Sequence, residues 1–377
     1  MRLPATAMRV KYSYLDDQFA PSQVEEILRE VREELIPSGE FTLGPFVERF
    51  ERKFADYIGV KHAVGTNTGT GALILALRAA GAGHGDEVIS VPNTFIATIG
   101  AIVAVGARPV FVDVDDRYQI NPNLIERAIT SRTKAILPVY WGGCCPDMAG
   151  VMAVADKHGI PVIEDACPAV GAQIDGRFAG TFGRVSAFSM HPLKPLNVMG
   201  DGGIVVTNDD RIAGWLRLYR NHGLKDRDHV SMWGVNERTQ PFQAIVARHL
   251  LDRIEGVIAQ RIQNARTLDT GLAALRDVIT TPSRPANHRE VYQLYLASAT
   301  RRDELKRFLE SRGVEAKVHY PIPVHLQECA RDLGYCVGDF PVAEKQAGEV
   351  ITLPSHQHVG TEHMEYTVQC IREFYGR

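Results

Sequence analysis

From residue 61 to residue 207 short apolar runs alternate with amphipathic stretches, and this alternation limits the fold more than any other feature. Strands are expected at 62–65, 87–91, 109–114, 135–140, 161–164, 185–189 and 203–207. These runs are rich in Val, Ile and Phe, as strands buried on both faces are. Helices are expected between them, at 71–80, 99–105, 123–129 and 148–158. The first contains ALILALRAA, a strongly helix-forming run. Strands alternating with helices predict an α/β architecture, a mostly parallel seven-stranded sheet covered on both faces.

After residue 208 the rhythm changes. A helix is expected at 211–219, then an irregular polar stretch at 220–241, then one long helical pattern from 242 to about 275. A smaller α+β unit follows, with strands near 291–300 and 314–318 and helices near 302–312 and 361–375. The expected organisation is a large α/β domain over 15–250 and a small C-terminal domain over 251–377, with residues 1–14 packing near it. A chain of 377 residues is long enough for two packed units.

The net charge of −3 gives no reason to expect a nucleic-acid partner. No apolar run approaches the ~20 residues of a membrane helix. Residues 1–14 lack the basic-then-apolar pattern of a signal peptide. The cysteines, Cys144, Cys145, Cys167, Cys329, Cys336 and Cys370, include no CxxC pair. They suit reduced thiols in the cytoplasm rather than a disulfide framework or a metal site.

Three constellations carry chemistry. GTNTGTG at 65–71 follows a strand and opens a helix, where free N–H groups and the helix dipole favour an anion. It reads equally as an ordinary helix cap. It is neither GxGxxG nor GxxxxGK[ST], which argues against dinucleotides and nucleoside triphosphates. The run PVIEDACP places Asp165 at the end of an apolar strand, where open α/β sheets put ligands. A buried carboxylate there needs a partner, and a pyridinium nitrogen would be one. The run FSMHPLKP places Lys194 past another buried strand, between Pro192 and Pro195, which forbid a helix. GDGG at 200–203 follows. Burial would lower the Lys194 pKa and make its amine a nucleophile. Phosphate cradle, strand-end Asp and strand-end Lys, in that order on one α/β domain, read as a site for pyridoxal 5′-phosphate.

The motifs GTNTGTGALILALRA, GDEVISVPNTFIAT, PVIEDAC, FSMHPLK and GDGG resemble the DegT/DnrJ/EryC1/StrS sugar aminotransferases. The resemblance runs from FTLGP at 41–45 to HYPIPVH at 319–325. It implies the fold type I architecture of pyridoxal-phosphate transferases and a homodimer. It implies transfer of an amino group, in two alternating half-reactions, from glutamate or glutamine to a keto-sugar or cyclitol ketone. By that resemblance Lys194 is the Schiff-base lysine and proton shuttle, and Asp165 the partner of the ring nitrogen. Phe95 stacks on the ring. Thr68 and Gly69 hold the phosphate, and Ser189 gives it a hydroxyl. Asn236 reaches the phosphate of the neighbouring subunit. His319, Tyr320 and His325 line the sugar pocket.

The chain departs from the family pattern at Pro168, where His or Gln is usual, and at Glu237, where an aromatic residue often stands. Pro168 keeps open another pyridoxal-phosphate reaction on the same scaffold, elimination or oxidation. A non-enzymatic ligand sensor and a nicotinamide dehydrogenase are more distant alternatives; Lys194 with Asp165 argues against the first and the absence of GxGxxG against the second. Arg220 and Arg238 are the arginine candidates for the donor's carboxylate.

Overall fold

The computed structural model describes residues 8–377. Seven strands form one continuous sheet in the order His62–Thr66, Gly203–Thr207, Val185–Ser189, Ile163–Asp165, Thr133–Ile136, Glu87–Ser90, Arg108–Phe111. The parallel bridges Ile136–Val162 and Val139–Asp165 join its two halves. Only Gly203–Thr207 runs against its neighbours; the other pairings are parallel. The central strands are buried along their whole length because helices cover both faces. The expected mostly parallel seven-stranded sheet is therefore present.

Two apolar cores hold the molecule. The larger surrounds this sheet and includes the helices Pro45–Ile58, Gly69–Ala79 and Pro241–Leu251. The smaller lies around an antiparallel sheet of Ile279–Thr280, Tyr295–Ala299 and Val350–Leu353, packed by the final helix Thr361–Tyr375. Val10 belongs to the smaller core and pairs with Val314.

The structure corrects the expected elements in several places. The long helix over 242–275 is two helices, Pro241–Leu251 and Ile254–Leu272, separated by a turn at Asp252 and Arg253. The apolar stripe continues through the turn, and no Gly or Pro marks it, so the period alone shows one helix. The strand over 314–318 reduces to the isolated bridges Val10–Val314 and Lys317–Thr352. The helices Pro21–Glu30 and Pro45–Ile58 were not expected, although each opens on a proline in its first turn, where a missing N–H costs nothing.

Candidate active site

Three strands deliver side chains to one edge of the sheet. His62–Thr66, Ile163–Asp165 and Val185–Ser189 point the same way, so their C-terminal ends lie together, where open α/β sheets bind ligands. The first strand leads into the helix Gly69–Ala79, whose N-cap is Thr68. Thr68 Oγ1 accepts the Gly71 N–H at 2.8 Å, and the Thr68 carbonyl accepts the Ala72 N–H at 2.9 Å. The N–H groups of Gly69 and Thr70 lie in the first turn, where the helix itself has no acceptor for them.

The helix start is pressed against the ends of two other strands. A Cβ on Gly69 would stand 2.6 Å from Ser189 Cβ and 2.8 Å from its Oγ. A Cβ on Gly203 would stand 2.1 Å from the Thr68 carbonyl oxygen. Glycine at both positions lets backbone amides and the buried Ser189 hydroxyl face one small volume. Asn67 Oδ1 and Glu237 Oε2 are buried beside it without hydrogen-bond partners, and burial raises the Glu237 pKa.

Asp165 is buried at its strand end. Its Oδ2 accepts from Thr98 Oγ1 at 2.7 Å, and its Oδ1 from the Cys167 N–H at 3.2 Å. Thr98 in turn shares a 2.7 Å hydrogen bond with Thr94. Among the described residues no cation is ion-paired to this carboxylate. Lys194 sits in the turn after Val185–Ser189. Its N–H donates to the His191 carbonyl at 2.8 Å, and its carbonyl accepts from Asn197 Nδ2 at 3.1 Å. Burial lowers the pKa of its amine, against the opposing pull of Cys167 and Asp165. Pro168 is buried close by and offers no side-chain donor.

His319 and Tyr320 come in from the C-terminal unit. Burial, reinforced by the charges of Lys194 and Lys317, pushes His319 down to about 4, and its Nδ1 lies 2.9 Å from Thr352 Oγ1. Burial pushes Tyr320 up to about 12. The Tyr320 ring lies 6.1 Å from Phe95 and 5.5 Å from Trp141. Phe95 is 53% exposed, so its face is open to a ligand. Beside these rings lies a small cavity of about 20 Å³, lined by Asn93, Tyr118, Trp141, His319, Tyr320 and Gln346 among others. Asn93 Oδ1, Tyr118 Oη and Gln346 Oε1 are buried without partners, as groups awaiting water or a polar ligand are.

The other candidates lie elsewhere. His325 is fully buried, with Nε2 3.1 Å from Glu344 Oε1 and its ring edge-on to Phe340, and it does not line that cavity. Asn236 is exposed and accepts from Arg238 Nε at 2.9 Å. Arg220 is buried and ion-paired to Glu51 while donating to the Gly65 carbonyl, which removes it as a receptor for a small carboxylate. Arg238 donates to Asn221 Oδ1 at 3.1 Å. The sequence reading missed Thr98, Asn93, Tyr118 and Gln346. Asn93 and Thr98 had a local signal, two residues before and three beyond Phe95 in the same motif; Tyr118 and Gln346 meet them only through the fold.

This geometry has close counterparts. A pleiotropic regulatory protein of Geobacillus stearothermophilus is 38% identical over 98% of this chain and 99% of its own. The dTDP-3-amino-3,4,6-trideoxy-alpha-D-glucose transaminase of Micromonospora megalomicea subsp. nigra is 39% identical, over 90% of this chain and 92% of its own. The crystal structure of S. venezuelae DesV in complex with a ketimine intermediate superposes with a TM-score of 0.94 at 37% identity, covering 99% of this chain and all of that one. The profile of the DegT/DnrJ/EryC1/StrS aminotransferase family matches residues 21–372, and with these relatives it establishes that the chain belongs to that family.

Proposed function

We propose that this protein is a pyridoxal-phosphate-dependent sugar aminotransferase. It moves an amino group from glutamate or glutamine to a keto-sugar, nucleotide-linked or phosphorylated, or to a cyclitol ketone, in amino-sugar, surface-polysaccharide or secondary-metabolite biosynthesis. Transaminase relatives that act on nucleotide-linked amino sugars support the substrate class. The observation that carries the reading is the convergence of Lys194, Asp165 and the Thr68 helix start at one sheet edge.

Pyridoxal 5′-phosphate is the cofactor, and the residues fit it. Gly69 leaves room for a phosphate against Thr68, the first-turn amides and the Ser189 hydroxyl. Asp165, held only by neutral donors, suits a protonated ring nitrogen. Phe95 offers an open aromatic face. When bound, the cofactor supplies an electron sink for the pair released when a proton leaves the donor's α-carbon. Lys194 holds the cofactor and carries that proton, and its lowered pKa leaves a share of the amine neutral to accept it. His319, kept uncharged by burial, and Tyr320 with its open cavity receive the acceptor.

The active unit is a homodimer. Asn236 stands exposed on the segment that carries Trp233, 94% exposed, and Val230, and it reaches the partner's phosphate site. His325 supports the sugar pocket from behind, through the segment it shares with Tyr320. The two apolar cores are read as domains over 15–250 and 251–377. Six unpaired cysteines suit the cytoplasm. Among the described residues no helix is long and apolar enough to cross a membrane.

The test is chemical. Borohydride treatment of the holoenzyme should fix the cofactor to the peptide containing Lys194. Glutamate alone should release one 2-oxoglutarate per site. Lys194→Ala should fold, keep weak cofactor binding, and lose at least ~10²–10⁴-fold in turnover. A label on another lysine, or near-normal turnover in Lys194→Ala, would remove the reading.

A further inference from the structure

Arg261 lies in the helix Ile254–Leu272 and is 2% exposed. Its guanidinium donates to three neutral oxygens: Nε to Gln357 Oε1, Nη1 to the Tyr292 carbonyl and Nη2 to Tyr14 Oη, each at 3.0 Å. Among the described residues no carboxylate is paired with it. The other fully buried arginine, Arg220, has Glu51. A buried charge without a counter-ion is costly, and two of the five guanidinium N–H groups remain to be satisfied. Arg261 is therefore a cation awaiting an anion.

A small cavity of about 20 Å³ lies against it, walled by Tyr12, Tyr14, Leu193, Arg261, Ser355 and His356 among others. His356 supplies no anion. Its Nε2 lies 2.9 Å from the Lys11 carbonyl and its Nδ1 accepts the His358 N–H at 3.2 Å, which fixes the neutral ring. Burial, with Arg261 adding repulsion, holds it uncharged by pushing it down to about 4. Burial likewise keeps the Tyr12 phenol protonated. No other group in this wall competes for the guanidinium as a charge.

The cavity also lies against the backbone that carries Lys194. Leu193 precedes Lys194, Tyr14 Oη is 3.5 Å from the Lys194 carbonyl oxygen, and the Tyr12 ring stacks 5.7 Å from His319. We propose that this cavity receives a carboxylate of the amino donor, with Arg261 as its counter-ion and Tyr14 holding the guanidinium in place. The inference rests on the transaminase reading above and adds an arginine to it: Arg220 is already paired, and Arg238 donates to Asn221 and Asn236. The α-carboxylate and the side-chain carboxylate of glutamate share the required chemistry.

The experiment follows the donor half-reaction of the full-length holoenzyme in single turnovers, with melting temperature and cofactor spectrum as controls. Arg261→Gln should raise the KM for glutamate about 10–100-fold, the effect of losing a charge-assisted hydrogen bond, with saturating rate and cofactor spectrum near wild type. Tyr14→Phe, a milder change, should raise it about 3–10-fold and decides the matter if Arg261→Gln does not fold. A penalty that persists with alanine as donor assigns the site to the α-carboxylate; a penalty confined to glutamate assigns it to the side chain; both sustain the proposal. An unchanged glutamate KM overturns it. So does a variant that loses only melting temperature, cofactor retention and saturating rate, because that is the signature of a structural clamp. If the wild-type enzyme reacts with no amino acid at all, the transaminase reading has failed instead.

Discussion

Arg220 and His356 show how burial divides residues of similar charge into different roles. Arg220 and Glu51 neutralise each other beneath the Gly65 carbonyl. Removing one partner of such a pair strands the other, so Arg220→Ala should cost about 3–5 kcal/mol in urea unfolding. The folded fraction should keep its glutamate KM, and a raised KM would restore Arg220 as a donor-binding group. His356 is 6% exposed and is pushed down from 6.5 to about 4. The unfolded chain then binds the extra proton between those values, so the stabilisation is complete above pH 6.5 and is lost as pH falls toward 4. Between pH 7 and pH 5 this amounts to about 2 kcal/mol. His356→Gln should flatten that part of the stability profile, and an unchanged slope would mean that other groups set it. Lys194, Asp165 and the helix start at Thr68 were legible in the sequence because each sits at a strand end or helix start that local pattern reveals, whereas Ser189 came from the family resemblance alone. Arg261 was not, because its lack of a counter-ion depends on residues 14, 292 and 357 meeting around it.

Among elements, the contact between Ile254–Leu272 and Thr361–Tyr375 is set by a missing side chain. A Cβ on Gly271 would lie 2.6 Å from Val368 Cγ2. Gly271→Ala should therefore destabilise the protein by about 1–3 kcal/mol through overpacking. Val368→Ala in the same chain should recover part of the loss, and simple additivity of the two changes in thermal unfolding would disprove the contact. The final helix was readable from its apolar spacing alone. The break at Asp252 and Arg253 was not, because both flanking helices present apolar residues to the interior and no turn residue interrupts them. The strand Val350–Leu353 escaped notice because its identity comes from pairing with Tyr295–Ala299, far away in the chain.

For the whole molecule, the exposed indole of Trp233 and its neighbour Val230 are costly to leave in water and belong against the second subunit proposed above. Trp233→Ser should shift light scattering toward the monomer on dilution and lower activity with it. A dimer of unchanged strength would place the interface elsewhere. The reversed strand Gly203–Thr207 has a kinetic consequence. Because it returns directly beside Val185–Ser189, the loop carrying Lys194 is closed by a nearby partner rather than by a distant crossover. Loop-closure entropy for that ribbon is small, whereas zipping residue 62 onto residue 207 must gather most of the large core first. During refolding, amide protection should thus rise across 185–207 before it rises at 62–66, so the lysine's support would form ahead of the phosphate cradle it faces.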